Sequence, residues 1–125
     1  MIHLDTTALI DALTGTQRSA LALRRTIERG ERVLLSTIVL YEWLRGPRVP
    51  AELAAQEALF PRQTAVPFDF EEASIAAGLY RQVRRGRGRE IDLAIAAVAI
   101  AQNAALWTLN TEDFQDIRPL TLYEP

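Results

Sequence analysis

The sequence predicts an α/β fold built on a mostly parallel sheet. Short apolar runs alternate with longer helical stretches along the whole chain. The runs are separated by helices, so the strands must be joined by crossovers, which favours parallel pairing with helices on both faces. No repeat, low-complexity linker or composition break divides the 125 residues. A single domain over 1–125 follows, long enough to bury a core.

Each element has a local reason. Ile2-His3-Leu4 is a short strand ending at Asp5. Thr6 and Thr7 can cap a helix through Leu9, Ile10 and Leu13, which Gly15 stops. A second helix carries Ala20, Leu23 and Ile27 on one face, with Arg24, Arg25 and Glu28 outside, and ends at Gly30. Val33-Leu34-Leu35 is a buried strand. Ser36 or Thr37 then caps a helix through Ile38, Tyr41 and Leu44 that ends at Gly46-Pro47, and Pro50 opens another through Leu53, Ala54 and Leu59. Thr64-Ala65-Val66 has strand character, cut short by Pro67. Asp69 and Glu72 have capping-box spacing, and their helix runs through Ile75, Leu79 and Val83 until Gly86 and Gly88. An Ala-rich helix from Ile91 to Asn103 can lie close to a sheet. Ala105 to Leu109 is a fourth strand, and Leu120 to Tyr123 an edge strand.

Composition removes several function classes. The chain has 0 Cys, so thiolate metal sites and disulfides are excluded. The single His3 cannot build a His-rich zinc site and is expected on an edge of the first strand. All 14 basic residues are Arg. Without Lys there is no Schiff-base chemistry and no P-loop lysine. No apolar run is long enough to span a membrane, and the N-terminus lacks the pattern of a signal peptide. A cytoplasmic protein is expected. The net charge of -2 gives no global positive field.

Four acids occupy places where acids are awkward. Asp5 directly follows the first strand, and Asp113 follows the fourth by a short turn. Ligands of open parallel sheets bind beyond the carboxyl ends of the strands. Glu42 lies inside the apolar stretch Ile38 to Leu44, where a carboxylate is costly unless paired or metal-bound; a solvated stripe or a pair with Arg45 is the structural alternative. Asp92 opens an apolar helix, where the macrodipole alone would favour it by about 0.3–1 kcal/mol. Like charges about 4 Å apart repel by roughly 4 kcal/mol at an effective dielectric of 20. If the four converge, they must share protons or bind a cation. Hard oxygen ligands without Cys or His select Mg²⁺ or Mn²⁺. A hydrolase of phosphodiesters or phosphomonoesters follows from such a site.

At these residues the chain resembles PIN-domain proteins, specifically VapC-type toxins of bacterial toxin–antitoxin pairs. The resemblance rests on four segments: Leu4-Asp5-Thr6-Thr7-Ala8-Leu9-Ile10; Ser36 to Gly46 with Glu42 as the helix acid; Asp92 followed by Ile95-Ala96-Ala97 and Ala99; and Thr108-Leu109-Asn110-Thr111-Glu112-Asp113-Phe114. Their order and separation match along nearly the whole chain. The resemblance implies a three-layer α/β/α sandwich and an endoribonuclease that cleaves RNA phosphodiester bonds by metal-activated water. It carries the catalytic and metal-binding roles onto Asp5, Glu42, Asp92 and Asp113, with Asp5 and Asp92 as primary ligands. Asp113 is preferred to Glu112 because Phe114 follows it. Thr6, Thr108 and Asn110 match supporting polar positions, Asn110 orienting an acid or a water. The resemblance also implies a homodimer and a cognate VapB-type antitoxin, for whose apolar groove Leu40, Trp43 and Leu44 are candidates.

Arg81, Arg84, Arg85, Arg87 and Arg89 crowd one segment before Asp92. Arg84, Arg85, Arg87 and Arg89 are candidates for contacting RNA phosphates, and a solvated helix end is the plain alternative. Two rival functions fit the residues less well. An aspartyl-phosphate hydrolase with Asp5 as nucleophile lacks its second acid, replaced by Thr7, and its lysine. A PIN scaffold that binds RNA or a protein without cutting would need none of the four acids.

Overall fold

The structure, a computed structural model, describes residues 1–125. Its strands are β1 (Ile2–Leu4), β2 (Val33–Leu34), β3 (Ala105–Trp107) and β4 (Thr121–Leu122). Its helices are α1 (Thr6–Leu13), α2 (Ala20–Glu28), α3 (Thr37–Arg45), α4 (Pro50–Leu59), α5 (Phe70–Gln82) and α6 (Glu90–Ala101). The sheet order is β2-β1-β3-β4 and every pair is parallel. Helices flank this sheet as the α/β/α reading requires.

Strands β1 and β3 are the interior pair, in the register Ile2↔Ala105, His3↔Leu106 and Leu4↔Trp107. The next backbone bond, from Asp5 N–H to Trp107 C=O at 2.8 Å, carries that register one step past the strands. Asp5 and Thr108 therefore leave the sheet side by side at its carboxyl end.

Helix α6 is the central packing element. Leu93 to Ala99 are all buried, so no face of that stretch meets water. Its alanines let α5 and α3 approach closely. A large buried apolar side chain contributes about 1.5–3 kcal/mol, which explains why Leu93, Ile95 and Val98 alternate with small residues rather than with polar ones. Helix caps follow the sequence: the Ser36 hydroxyl accepts Val39 N–H, and Asp69 and Glu72 form a reciprocal box.

Four expectations are corrected. Thr64-Ala65-Val66 is not a strand: Arg62–Thr64 forms a 3₁₀ turn, and only Val66 joins the sheet, bridging Ser36. Pro67 has no N–H to extend the pairing. The N-cap of α1 is Asp5 rather than Thr6 or Thr7, and its carboxylate makes no cap bond. Trp43 is 0% exposed and belongs to the core, so it cannot line a groove; Leu44 is exposed and Leu40 half-buried. His3 lies on an interior strand, 1% exposed, not at an edge.

The His3 Nε2 pairs with the Gln102 side-chain oxygen at 3.2 Å, while Nδ1 has no partner. Burial, and secondarily the N-terminal charge, holds the His3 pKa below its ordinary 6.5, against the opposing Gln102 bond. The unfolded chain thus takes up a proton first as pH falls. This contribution to stability is complete above pH 6.5 and is lost as pH falls below it. His3→Gln is expected to flatten that fall, as measured by urea unfolding at pH 5 and pH 8; an unchanged pH slope would sink the assignment.

Candidate active site

The site is built from the carboxyl ends of the interior strands, the first turns of α1 and α6, the middle of α3 and the turn after β3. Asp5 is 3% exposed. Its Oδ2 accepts hydrogen bonds from Thr108 Oγ1 at 2.7 Å and Thr7 Oγ1 at 2.9 Å. Those hydroxyls are themselves oriented: Leu109 N–H donates to Thr7 Oγ1, and Asn110 N–H to Thr108 Oγ1. A hydroxyl has one proton. Each is thereby directed at Asp5, and Oδ1 keeps no protein partner.

Glu42 projects from the middle of α3, with 18% of its side chain exposed. Oε1 accepts from the Thr6 hydroxyl, and Oε2 lies 3.2 Å from Arg45 Nη2. The pairing with Arg45 and the place among the acids thus coexist. The adjacent threonines that open α1 divide their work, Thr6 on Glu42 and Thr7 on Asp5.

Asp92, in the first turn of α6, is half-buried. Its pKa is raised from 3.8 to about 6, first by burial, then by the charges of Asp5, Asp113 and Glu42, with Arg89 opposing. Asp92 thus stands close enough to feel the charge of each of the other three carboxylates. Glu112 is not among the charges that raise Asp92, and both Glu112 and Asp113 are exposed on the turn after β3. The acids do not form a finished coordination shell: no three Asp, Glu or His side chains are grouped so as to hold an ion as they stand. Mg²⁺ does not require such a cage, since it commonly binds through one or two carboxylates and keeps its waters for a phosphate. The donor set, all oxygen and electrostatically crowded, suits that cation.

The arginines separate. Arg84, Arg85 and Arg87 are exposed and make no ion pair or side-chain hydrogen bond within the protein. Arg89 is turned inward, its side chain 20% exposed, and is engaged by Asp116 and the Asp113 carbonyl. Asn110 contributes its backbone N–H to Thr108. Thr7, which binds Asp5, and Asp116, which binds Arg89, are residues that sequence reasoning passed over. The Thr6-Thr7 doublet beside an acid was a signal for the first; nothing local announces the second.

The PIN domain family model matches residues 2–118. The chain belongs to the PIN-domain family. Within it, the chain is 37% identical over 125 residues to Ribonuclease VapC19 of Mycobacterium tuberculosis, in strains CDC 1551 and H37Rv, covering 93% of this chain and 96% of that protein. Solved structures share the fold. The DNA-bound VapBC of Salmonella typhimurium superposes with a TM-score of 0.80 at 21% identity, covering 98% of this chain and 96% of that one. VapBC2 of Rickettsia felis bound to a promoter DNA fragment gives 0.78 at 23% identity, covering 98% of each. This PIN domain therefore keeps the family's parallel sheet at low sequence identity.

Asp92 also yields a stability test on the metal-free protein. A carboxyl whose folded pKa is raised contributes stability fully below its unfolded value of 3.8 and loses it as pH rises through about 6. Asp92→Asn cannot ionise, so it is expected to melt higher than wild type at pH 8 in EDTA, the difference shrinking toward pH 4. Calorimetry at both pH values checks it, and equal melting at pH 8 would contradict the raised pKa of Asp92.

Proposed function

We propose that this PIN domain is a Mg²⁺- or Mn²⁺-dependent endoribonuclease, the toxin of a toxin–antitoxin pair. The observation that carries this reading is the gathering of Asp5, Glu42 and Asp113 around Asp92 at the carboxyl end of the sheet, where burial first and the three neighbouring charges second raise the pKa of Asp92. Similarity to a VapC ribonuclease over nearly the full length supports the substrate class.

Asp5 and Asp92 would hold the cation, Asp5 through its unpartnered Oδ1, with Asp113 and Glu42 reaching it directly or through water. When bound, the cation supplies stabilisation of phosphoryl charge and access to hydroxide near neutral pH. The remaining work falls to the protein. The Thr7 and Thr108 hydroxyls keep Asp5 in one rotamer before RNA arrives, which removes reorganisation from the reaction. Thr6 and Arg45 do the same for Glu42. Attack in line with the leaving oxygen needs no covalent intermediate, consistent with a chain that has no Cys or Lys nucleophile.

Arg84, Arg85 and Arg87, free of protein partners, are the proposed phosphate contacts. Their guanidiniums offset an acidic centre that would otherwise repel RNA.

The proposed antitoxin seat differs from the one the sequence suggested. An apolar groove of about 410 Å³ opens between α1, α2 and α4, lined by Leu13, Leu23, Ile27 and Leu59 with Arg24 and Glu28 at its rim. Ile27 and Leu59 are exposed there. An amphipathic segment of the antitoxin, apolar on one face, fits this chemistry. A homodimer is proposed as the toxin's own assembly, which would account for Phe70, left 83% exposed outside that groove. No helix is long and apolar enough to cross a membrane, and action on cellular RNA would place the chain in the cytoplasm.

Purified toxin freed of antitoxin should cleave RNA in Mn²⁺ or Mg²⁺ and stop in EDTA. Asp5→Asn and Asp92→Asn should each abolish detectable cleavage while remaining folded by circular dichroism. Cleavage that persists in EDTA would refute the metal reading, and a wild type that binds RNA without cutting it would favour the scaffold. Each of Arg84→Ala, Arg85→Ala and Arg87→Ala is expected to lower the slope of log affinity against log salt by about 1. Filter binding across salt concentrations measures it, and an unchanged slope removes that arginine from the contact.

A further inference from the structure

We propose that Arg89 and Asp116 act as one positioning unit, clamping the turn that carries Asp113 against the head of α6 and so setting how far Asp113 stands from Asp92. The inference deepens the metal-site reading above and rests on it.

The geometry is specific. Arg89 Nη1 and Nη2 donate to Asp116 Oδ2 and Oδ1 at 2.8 and 2.7 Å, a two-pronged pair. Nη2 also donates to the Asp113 backbone carbonyl at 2.8 Å. One planar guanidinium therefore grips both the backbone of a site acid and a carboxylate three residues further on. Arg89 occupies the N-cap position of α6, three residues before Asp92, so the grip is anchored on the element that carries the second acid.

The chain before Arg89 is shaped to deliver it. Arg89 N–H closes a turn onto Gly86 C=O at 2.9 Å, with Gly88 at φ +86, a conformation that glycine adopts without strain. Gly86 is buried against Tyr80, whose ring would lie 2.6 Å from an added Cβ. The neighbouring Arg84, Arg85 and Arg87 stay in solvent, so the inward course of Arg89 is a property of this turn rather than of the arginine run.

The clamp answers a mechanical need. Asp113 and Asp92 repel, and Asp113 sits on a short 3₁₀ turn, Thr111–Asp113, otherwise tied down through the buried Phe114 and Ile117. Charge-assisted forked bonds hold such a turn where neutral ones would let it swing outward. Arg89 also lies near enough to Asp92 and Asp113 to offset their charge. A lysine could not copy it, because a single ammonium lacks the fixed fork that meets both Asp116 oxygens.

The test uses the full chain freed of antitoxin, in the variants Arg89→Gln, Arg89→Lys, Asp116→Asn and Arg89→Gln/Asp116→Asn. Mn²⁺ binding without RNA is read by calorimetry, and cleavage is then followed against Mn²⁺, RNA and salt. Each single variant is expected to weaken Mn²⁺ binding by about 10–100-fold, as partners that orient metal ligands do. The double variant is expected to be no weaker than the worse single one, the mark of a unit. The KM for RNA and its salt dependence should stay at wild-type values when Mn²⁺ is saturating. Should Arg89→Gln fail to fold, Arg89→Lys and Asp116→Asn decide the matter. Wild-type Mn²⁺ affinity in Asp116→Asn, or losses that add in the double variant, would overturn the clamp. So would an Arg89→Gln defect confined to RNA affinity and salt slope, which would make Arg89 a phosphate contact. A wild type that binds no Mn²⁺ would instead bring down the metal-site reading and the clamp with it.

Discussion

Asp5 stands at the end of an interior strand with 3% of its surface exposed, and a carboxylate so placed needs donors that are already aimed. It finds them in Thr7 and Thr108, one from the helix that follows its own strand and one from the end of the neighbouring strand. Asp5 has the ideal chemistry for an N-cap, yet it forgoes the cap of α1. The small loss at the helix start, on the order of 1 kcal/mol, keeps one oxygen in a fixed direction and the other unclaimed. Every other feature of the site is arranged around this one immobile acid.

What surrounds it is a balance of charge. Three further carboxylates approach, and Asp92 registers their presence. Two arginines stand on the periphery, Arg45 on Glu42 and Arg89 on the Asp113 turn. Neither closes the centre by binding all of its acids. The site is therefore partly compensated and partly frustrated, a state that costs stability.

Much of this was legible because it depends on local pattern. Asp5 at a strand end, Glu42 interrupting an apolar helix and Asp92 heading a helix with no polar face are visible without coordinates. The Asp69–Glu72 box and Pro50 at a helix start are equally local. The failures share a different character. The 3.6-residue period of α3 places Val39 and Trp43 inward, leaves Leu44 exposed and sets Leu40 half-buried at the edge of the core, but an apolar stretch this continuous hides which stripe is which. The burial of His3 follows from β1 being interior, a fact of strand order that no single segment encodes. Arg89 meets Asp116 across 27 residues, through a glycine turn whose direction only tertiary packing decides.

The partners of Asp5 have one more consequence, in time rather than in space. Asp5 and Thr108 are separated by 103 positions in the chain. A growing polypeptide that has presented its first hundred residues already carries Asp5, Glu42 and Asp92, yet it has no β3 to pair with β1. Pairing between such distant segments is late in folding because loop closure must precede it. Until that strand arrives, the acid lacks its nearer hydroxyl donor, and the centre stays disorganised while the chain is still on the ribosome. The carboxyl end of the sheet is therefore complete only when the last fifth of the chain has joined the first few residues.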